Sequence, residues 1–297
     1  MAAENPILQK LRYTRELPTL PTVLMPLLRY LDKPLDSQDL HEIVRLISQD
    51  KALSARCLQI VNSPLYACTR EVESVQAAVV ALGVERIHEI AVSCSILKLV
   101  PATKAEIGPS VFWAHSLACA LVSRELATKI GYPDPAKAYS AGLLHDLGIA
   151  ALLWVAPKEF QRAVQVARTD SIPLHEAETK TLGFSHVDAG KIIAESWHLP
   201  QELTDAIAYH HNPEKAPRNR ALASIVFFSD LLCRLGGIGH GLTENVQAKF
   251  TDEPALAVLG QQFSAVHPFD WARFTFEMEA VVEEVHGVVA NVYGVTQ

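Results

Sequence analysis

The sequence predicts an all-α protein. Apolar residues recur at helical spacing along most of the chain, as in Leu40, Ile43, Val44 and Ile47, and side chains three and four apart share one helix face. Runs that alternate apolar and polar residues, the mark of a half-buried strand, are hard to find. The breaks between periodic segments carry helix-capping residues rather than hairpin turns.

Each predicted element has a local boundary. Ser37 caps a helix over 38–49, because a side-chain oxygen accepts from the exposed N–H groups of a first turn. Ser74 and Gly83 bracket a short helix. Ser110 opens a long helix that Gly131 and Pro133 close, and Asp134-Pro135 opens the next, which runs through Leu143-Leu144-His145-Asp146-Leu147-Gly148. Further helices follow at 157–169, 173–182, 186–198, 200–211, 218–235 and 268–291, divided by loops holding Gly, Pro, Asn or Ser. The stretch from Pro101 to Pro109 is the clearest linker, and it divides the chain into lobes over 1–105 and 106–297. Of the twelve histidines only His41 and His88 precede it, so the chemistry is expected in the second lobe.

At 297 residues and 49% hydrophobic, the chain can bury a wide core without covalent staples. Five scattered cysteines show no C-x-x-C pair, which suits a reducing compartment. Neither a secretory signal nor an apolar run of membrane-spanning length is found, so a soluble cytoplasmic protein without membrane association is expected. A net charge of −7 with no basic stripe disfavours polyanions, so nucleic acid is not expected as a partner.

His145-Asp146 is the most specific local feature. An adjacent imidazole and carboxylate among Leu143, Leu144, Leu147, Ile149 and Ala150 need a strong partner if buried, and a divalent cation is one. Further nitrogen and oxygen donors are His115, His186, His210, His211 and Asp230. Together they exceed the positions around a single ion, so a two-metal site bridged by Asp146 is the expectation. Donors without thiolate suit iron or manganese first, with zinc or cobalt as alternatives. Taken singly, each has a plainer reading: a hydrogen-bonded core histidine, imidazoles at a helix C-terminus for His210-His211, a paired core acid for Asp230. His41, His88, His175, His198, His240, His267 and His286 read as surface or structural residues.

The ordered motifs Leu17-Pro18-Thr19-Leu20-Pro21, Ile47-Ser48-Gln49-Asp50-Lys51-Ala52-Leu53, Ile60-Val61-Asn62-Ser63-Pro64, Trp113-Ala114-His115-Ser116, Ala141-Gly142-Leu143-Leu144-His145-Asp146-Leu147-Gly148, Trp197-His198-Leu199-Pro200 and Tyr209-His210-His211-Asn212-Pro213 closely resemble the HDOD (HD-related output domain) family. The resemblance covers residues 10–235. It implies a helical N-terminal lobe packed on a relative of the HD phosphohydrolase core and a role in bacterial signal transduction. The seven donors named above are also similar in type and order to the metal positions of HD-GYP phosphodiesterases. Two departures count against turnover: Ile149 stands where those enzymes place a lysine, and Asn212-Pro213-Glu214-Lys215 replaces Gly-Tyr-Pro. Val111 stands where some of them carry a glutamate for a third metal. The resemblance therefore implies an output protein that binds a signalling protein or a cyclic nucleotide. A metal-dependent phosphohydrolase is the alternative.

Overall fold

The computed structural model describes residues 5–13, 22–31, 39–66, 68, 70–101, 107–242, 250–267 and 269–293. Among them every regular element is helical. The expected Ser37 cap, the motif at 17–21 and the boundary between 105 and 106 lie outside the described residues.

The first lobe holds α2 (Leu24–Leu31), α3 (Leu40–Ser48), α4 (Lys51–Val61), α5 (Val75–Leu82) and α6 (Val84–Ser95). Their starts follow from capping: the Asp39 carboxylate accepts from His41 N–H, Asp50 from Ala52 and Leu53, and Ser74 from Ala77. Leu24, Leu27, Ile43, Ile47, Ile60, Ile87 and Ile90 meet in its core. His88 lies there too, wholly buried, its Nε2 2.6 Å from the Leu27 carbonyl.

Burial lowers the His88 imidazole from its ordinary 6.5 to about 4. A base whose pKa falls on folding gives stability that is intact above 6.5 and is lost as pH falls toward 4. That interval corresponds to about 3 kcal/mol. Urea unfolding between pH 7 and pH 4 should show a steeper loss for the native chain than for His88→Gln. Equal slopes would contradict the buried neutral imidazole.

The second lobe is built around α7 (Pro109–Ile130), a helix buried along most of its length from Phe112 to Ile130. It packs on α8 (Pro135–Leu144), α14 (Arg220–Leu235) and α16 (Trp271–Tyr293). Between α8 and α14 run α9 (Leu147–Val155), α10 (Pro157–Asp170), α11 (Leu174–Leu182), α12 (His186–Ser196) and α13 (Gln201–Tyr209), and α15 (Pro254–Gln262) follows α14. Helix α7 begins at Pro109 after Gly108 rather than at Ser110, and Gly131 ends it in the left-handed conformation at φ 77°. Asp134 caps α8 as expected, accepting from Lys137 N–H.

The two lobes share one core. Between them the Ser93 hydroxyl meets Tyr139 Oη at 2.7 Å, Trp113 Nε1 donates to the Ser93 carbonyl, and Arg124 pairs with the buried Glu89 at 2.7 Å. The first helix, α1 (Pro6–Tyr13), packs on α9 and α12 of the second lobe, with Asn5 bonded to the Leu182 carbonyl and Lys10 to that of Val155. Helix α16 reaches the other way, its Asn291 carbonyl accepting from Gln59. Pro135–Val155 is the one described stretch long and apolar enough to cross a membrane, and 94% of its apolar 18-residue window is buried inside the fold.

Candidate metal centre

The expected single helix through His145-Asp146 is broken. Helix α8 stops at Leu144, α9 starts at Leu147, and Asp146 sits in the turn at φ −93° and ψ 21°. A continuous helix would have pointed the two side chains about 100° apart. The break turns both toward one centre, and the Asp146 carboxylate faces imidazoles instead of capping α9.

Two glycines make this convergence sterically feasible. A Cβ on Gly142 would lie 2.6 Å from the Cys119 carbonyl oxygen, so α8 approaches α7 closely enough to set His145 beside His115. A Cβ on Gly148 would lie 1.9 Å from the His186 carbonyl oxygen, and this contact sets Asp146 beside His186. Gly148→Ala is therefore expected to force α9 from α12, at a cost of about 1–3 kcal/mol, and to loosen the cluster. Thermal denaturation and bound-metal content should fall together, and an unchanged melt would contradict the close approach.

The seven sequence-predicted donors come together. His115 from α7, His145 and Asp146 from the α8–α9 turn, His186 at the start of α12, His210 and His211 just past α13, and Asp230 from α14 line one region. Asp146 is its hub. Its Oδ2 lies 3.0 Å from His145 Nε2 and 3.4 Å from His115 Nε2, while its Oδ1 lies 3.3 Å from His186 Nε2 and 3.7 Å from His210 Nε2. Asp230 Oδ1 is 3.3 Å from His115 Nε2, and its Oδ2 is 4.0 Å from His211 Nδ1.

The hydrogen bonds behind the rings show what this donor set can hold. Nδ1 of His115 faces the Ile238 carbonyl at 2.7 Å, that of His145 the Gly142 carbonyl at 2.7 Å, and that of His210 the Ile207 carbonyl at 3.0 Å. A carbonyl only accepts, so each Nδ1 carries the hydrogen and, in the neutral ring, Nε2 presents a bare lone pair. The Nε2 atoms of His115 and His145 are 3.3 Å apart, and those of His186 and His210 are 3.4 Å apart. Lone pairs at that separation, aimed at carboxylates, repel unless a proton or a cation lies between them. The residues present fit a divalent cation.

The charges in the site agree with this. Burial would raise the Asp146 and Asp230 carboxyls, yet the His145 and His240 imidazoles beside the first and Arg234 beside the second hold both well below the usual carboxylate range. Burial works against protonated His115, but its bonds to Asp146 and Asp230 hold it well above 6.5, and Glu178 likewise carries His186 to about 9 against burial. Burial, then the neighbouring imidazoles, pushes His210 and His211 well down. Without a cation, protons on His115 and His186 offset the carboxylates.

Four residues here were not singled out by sequence. His240 and His175, read there as surface or structural, belong to the cluster: His240 Nε2 is 2.7 Å from Asp146 Oδ2, and the His175 ring stacks on His211 at 4.0 Å. Glu178, fully buried, accepts from both the backbone N–H and the ring Nδ1–H of His186. Arg234 grips both oxygens of Asp230 at 3.0–3.1 Å. Only the last left a readable trace, an Asp and an Arg four apart on one helix. His41, His198, His267 and His286 are exposed, as read.

Leu174, His175, Arg234 and His240 line a small pocket beside the cluster with about 20 Å³ of free space, roughly enough for one water. A larger open groove of about 300 Å³ lies between the glycine-rich loop that follows α14 and the ends of α7 and α16. The loop is the link between the two spaces, because it supplies the Ile238 carbonyl to His115 and the His240 ring to Asp146.

An all-helical fold with a histidine–aspartate cluster at a helix break defines an HD-type domain. The chain matches the HDOD domain family over residues 17–213 and belongs to it. It is similar to a crystal structure of an HDOD domain protein of unknown function from Geobacter sulfurreducens, with 29% identity, 97% of this chain and 98% of that one covered, and a TM-score of 0.83. A candidate phosphohydrolase from Shewanella amazonensis shares the fold at 21% identity and a TM-score of 0.71, with 96% of this chain and 97% of that one covered. An uncharacterized Treponema pallidum protein is 28% identical over 74% of this chain, and the chain spans 42% of that protein's length. Ribonuclease Y of Thermus thermophilus is 29% identical over 55% of this chain and a quarter of its own length.

Proposed function

We propose that the chain is a signal-transduction output protein that works by binding a signalling protein or a nucleotide, and that its histidine–aspartate cluster holds divalent metal for structure rather than turnover. The observation that carries this reading is the small free space among the donors, about 20 Å³, roughly the room of one water. Ile149 supports it, since the position that would need a phosphate-binding lysine is fully buried in the core. His115, His145 and Asp230 would hold one ion and His186, His210 and His211 a second, with Asp146 between them. Iron or manganese suits these donors first, zinc or cobalt next. Bound metal would neutralise the carboxylates and could act as a Lewis acid.

The relay runs through the loop after α14. A small ligand or a partner side chain seated in the open groove of about 300 Å³, near the lower end of the size of ligand sites, would press on the segment that holds His115 and Asp146. The first lobe, 1–105, and the second, 106–297, act as one body in the cytoplasm, with no role for a membrane or for nucleic acid. The alternative, a metal-dependent phosphohydrolase, draws on the ligand set and on the names of the Shewanella and Thermus relatives.

Elemental analysis of the purified protein, paired with hydrolysis assays on cyclic di-GMP, simple phosphodiesters and an RNA oligonucleotide, separates the two. Near-stoichiometric metal without hydrolysis is the expected result. Turnover that disappears in Asp146→Ala would establish the enzyme instead, and absence of metal would remove both readings.

A further inference from the structure

We infer that Glu178 is the positioning residue behind His186, and that the charge it places there makes the His186–His210–His211 position fill with metal before the His115–His145–Asp230 position. The inference rests on the metal reading above and adds an order of loading to it. The two positions are unequal in carboxylate. The His115 position holds Asp230 and one oxygen of Asp146, whereas the His186 position has three imidazoles and the other oxygen of Asp146. Glu178 lies behind the poorer of the two.

Its geometry is that of a partner that orients a ligand. Glu178, on α11, is wholly buried, and its Oε2 accepts at 2.7 Å from both the backbone N–H and the ring Nδ1–H of His186. The ring is thereby fixed with Nε2 turned inward, 3.3 Å from Asp146 Oδ1, 3.4 Å from His210 Nε2 and 3.1 Å from His211 Nε2. A tetrahedral ion with nitrogen and oxygen ligands at about 2.0–2.1 Å has edges of about 3.4 Å. His186 stands apart from its neighbours, because the Nδ1 atoms of His115, His145 and His210 face backbone carbonyls. A carboxylate in that place carries a full charge, which makes the imidazole a stronger donor and attracts a cation through it. Arg234 does the opposite at the His115 position, where it binds both oxygens of Asp230 and offsets their charge.

Stability alone does not account for Glu178. Helix α12 already has a capping box from Ser185 and Asp188. The second oxygen of Glu178, Oε1, is buried with no hydrogen-bond partner among the described residues. A buried carboxylate with one oxygen unpaired costs the fold more than an apolar residue of its size, so its role lies in what it does to His186.

The unpartnered Oε1 makes Glu178→Gln a near-isosteric test: an amide oxygen in the place of Oε2 keeps both bonds to His186, and only the charge is lost. Zinc is added stepwise to metal-free protein whose histidine rings are isotopically labelled, and NMR of the ring nitrogens reports which imidazoles take metal. Competition against a chromophoric chelator gives the affinities. In the native chain His186, His210 and His211 should respond to the first equivalent, and His115 and His145 to the second. In Glu178→Gln the affinity of the His186 position should fall roughly tenfold or more, while that of the His115 position is kept and the helix content of the metal-free protein is unchanged. A first equivalent that goes to His115 and His145 in the native chain overturns the inference, even where the variant fails to fold. Unaltered affinities in Glu178→Gln, or equal weakening of both positions, overturn it as well. No zinc bound to the native chain overturns the metal reading and this one with it.

Discussion

Chelating all divalent metal should lower the melting temperature of this protein by on the order of 10 °C. A cation present at a thousand times its dissociation constant stabilises the state that binds it by about 4 kcal/mol, and a chain of this size shifts by roughly 2–3 °C per kcal/mol. The physical source is local. Helices α7, α12, α13 and α14 and the α8–α9 turn each bring a lone pair or a carboxylate to one place, so without a cation the second lobe is held against their mutual repulsion by protons and Arg234 alone. Restoring metal should restore the melt, and Asp146→Ala should melt at one temperature with and without chelator. A native melt indifferent to complete metal removal would contradict the metal centre.

How much of this was legible in sequence depended on the range of the interaction responsible. Helix ends set by their own residues were readable: Ser74 before α5, Asp134-Pro135 before α8, Gly131 after α7. The break at His145-Asp146 was not. The run from Ala136 to Val155 is buried on nearly every side, so it has no polar face whose phase could reveal a change of direction. Its cause is distant in sequence, the contact of Gly148 with the His186 carbonyl and the pull of Asp146 toward the imidazoles of His115, His186, His210 and His240. Of the seven residues that converge, His115, His145, Asp146, His210 and His211 sit in ordered motifs that resemble a known family, whereas His186 and Asp230 were picked out only as further nitrogen and oxygen donors along the chain. His240 sits in a glycine-rich loop with no periodicity and His175 at the start of an ordinary polar helix, so neither carried a signal of burial.

Arg234→Met should destabilise the metal-free protein and tighten its hold on metal. The guanidinium meets both oxygens of Asp230 at 3.0–3.1 Å, and the two side chains are only 14% and 4% exposed. Breaking a buried pair by removing one partner costs about 3–5 kcal/mol, and the partial exposure of Arg234 places this case near 3. In the loaded protein the cation beside Asp230 supplies the missing positive charge, so most of that cost vanishes. The thermodynamic cycle then requires the difference to appear as affinity: about 3 kcal/mol is roughly a hundredfold tighter binding. Competition against a chromophoric chelator reads the affinity, and urea unfolding with and without metal reads the two stabilities. If Arg234→Met instead weakens binding, the guanidinium holds Asp230 in place for the ion rather than competing with it.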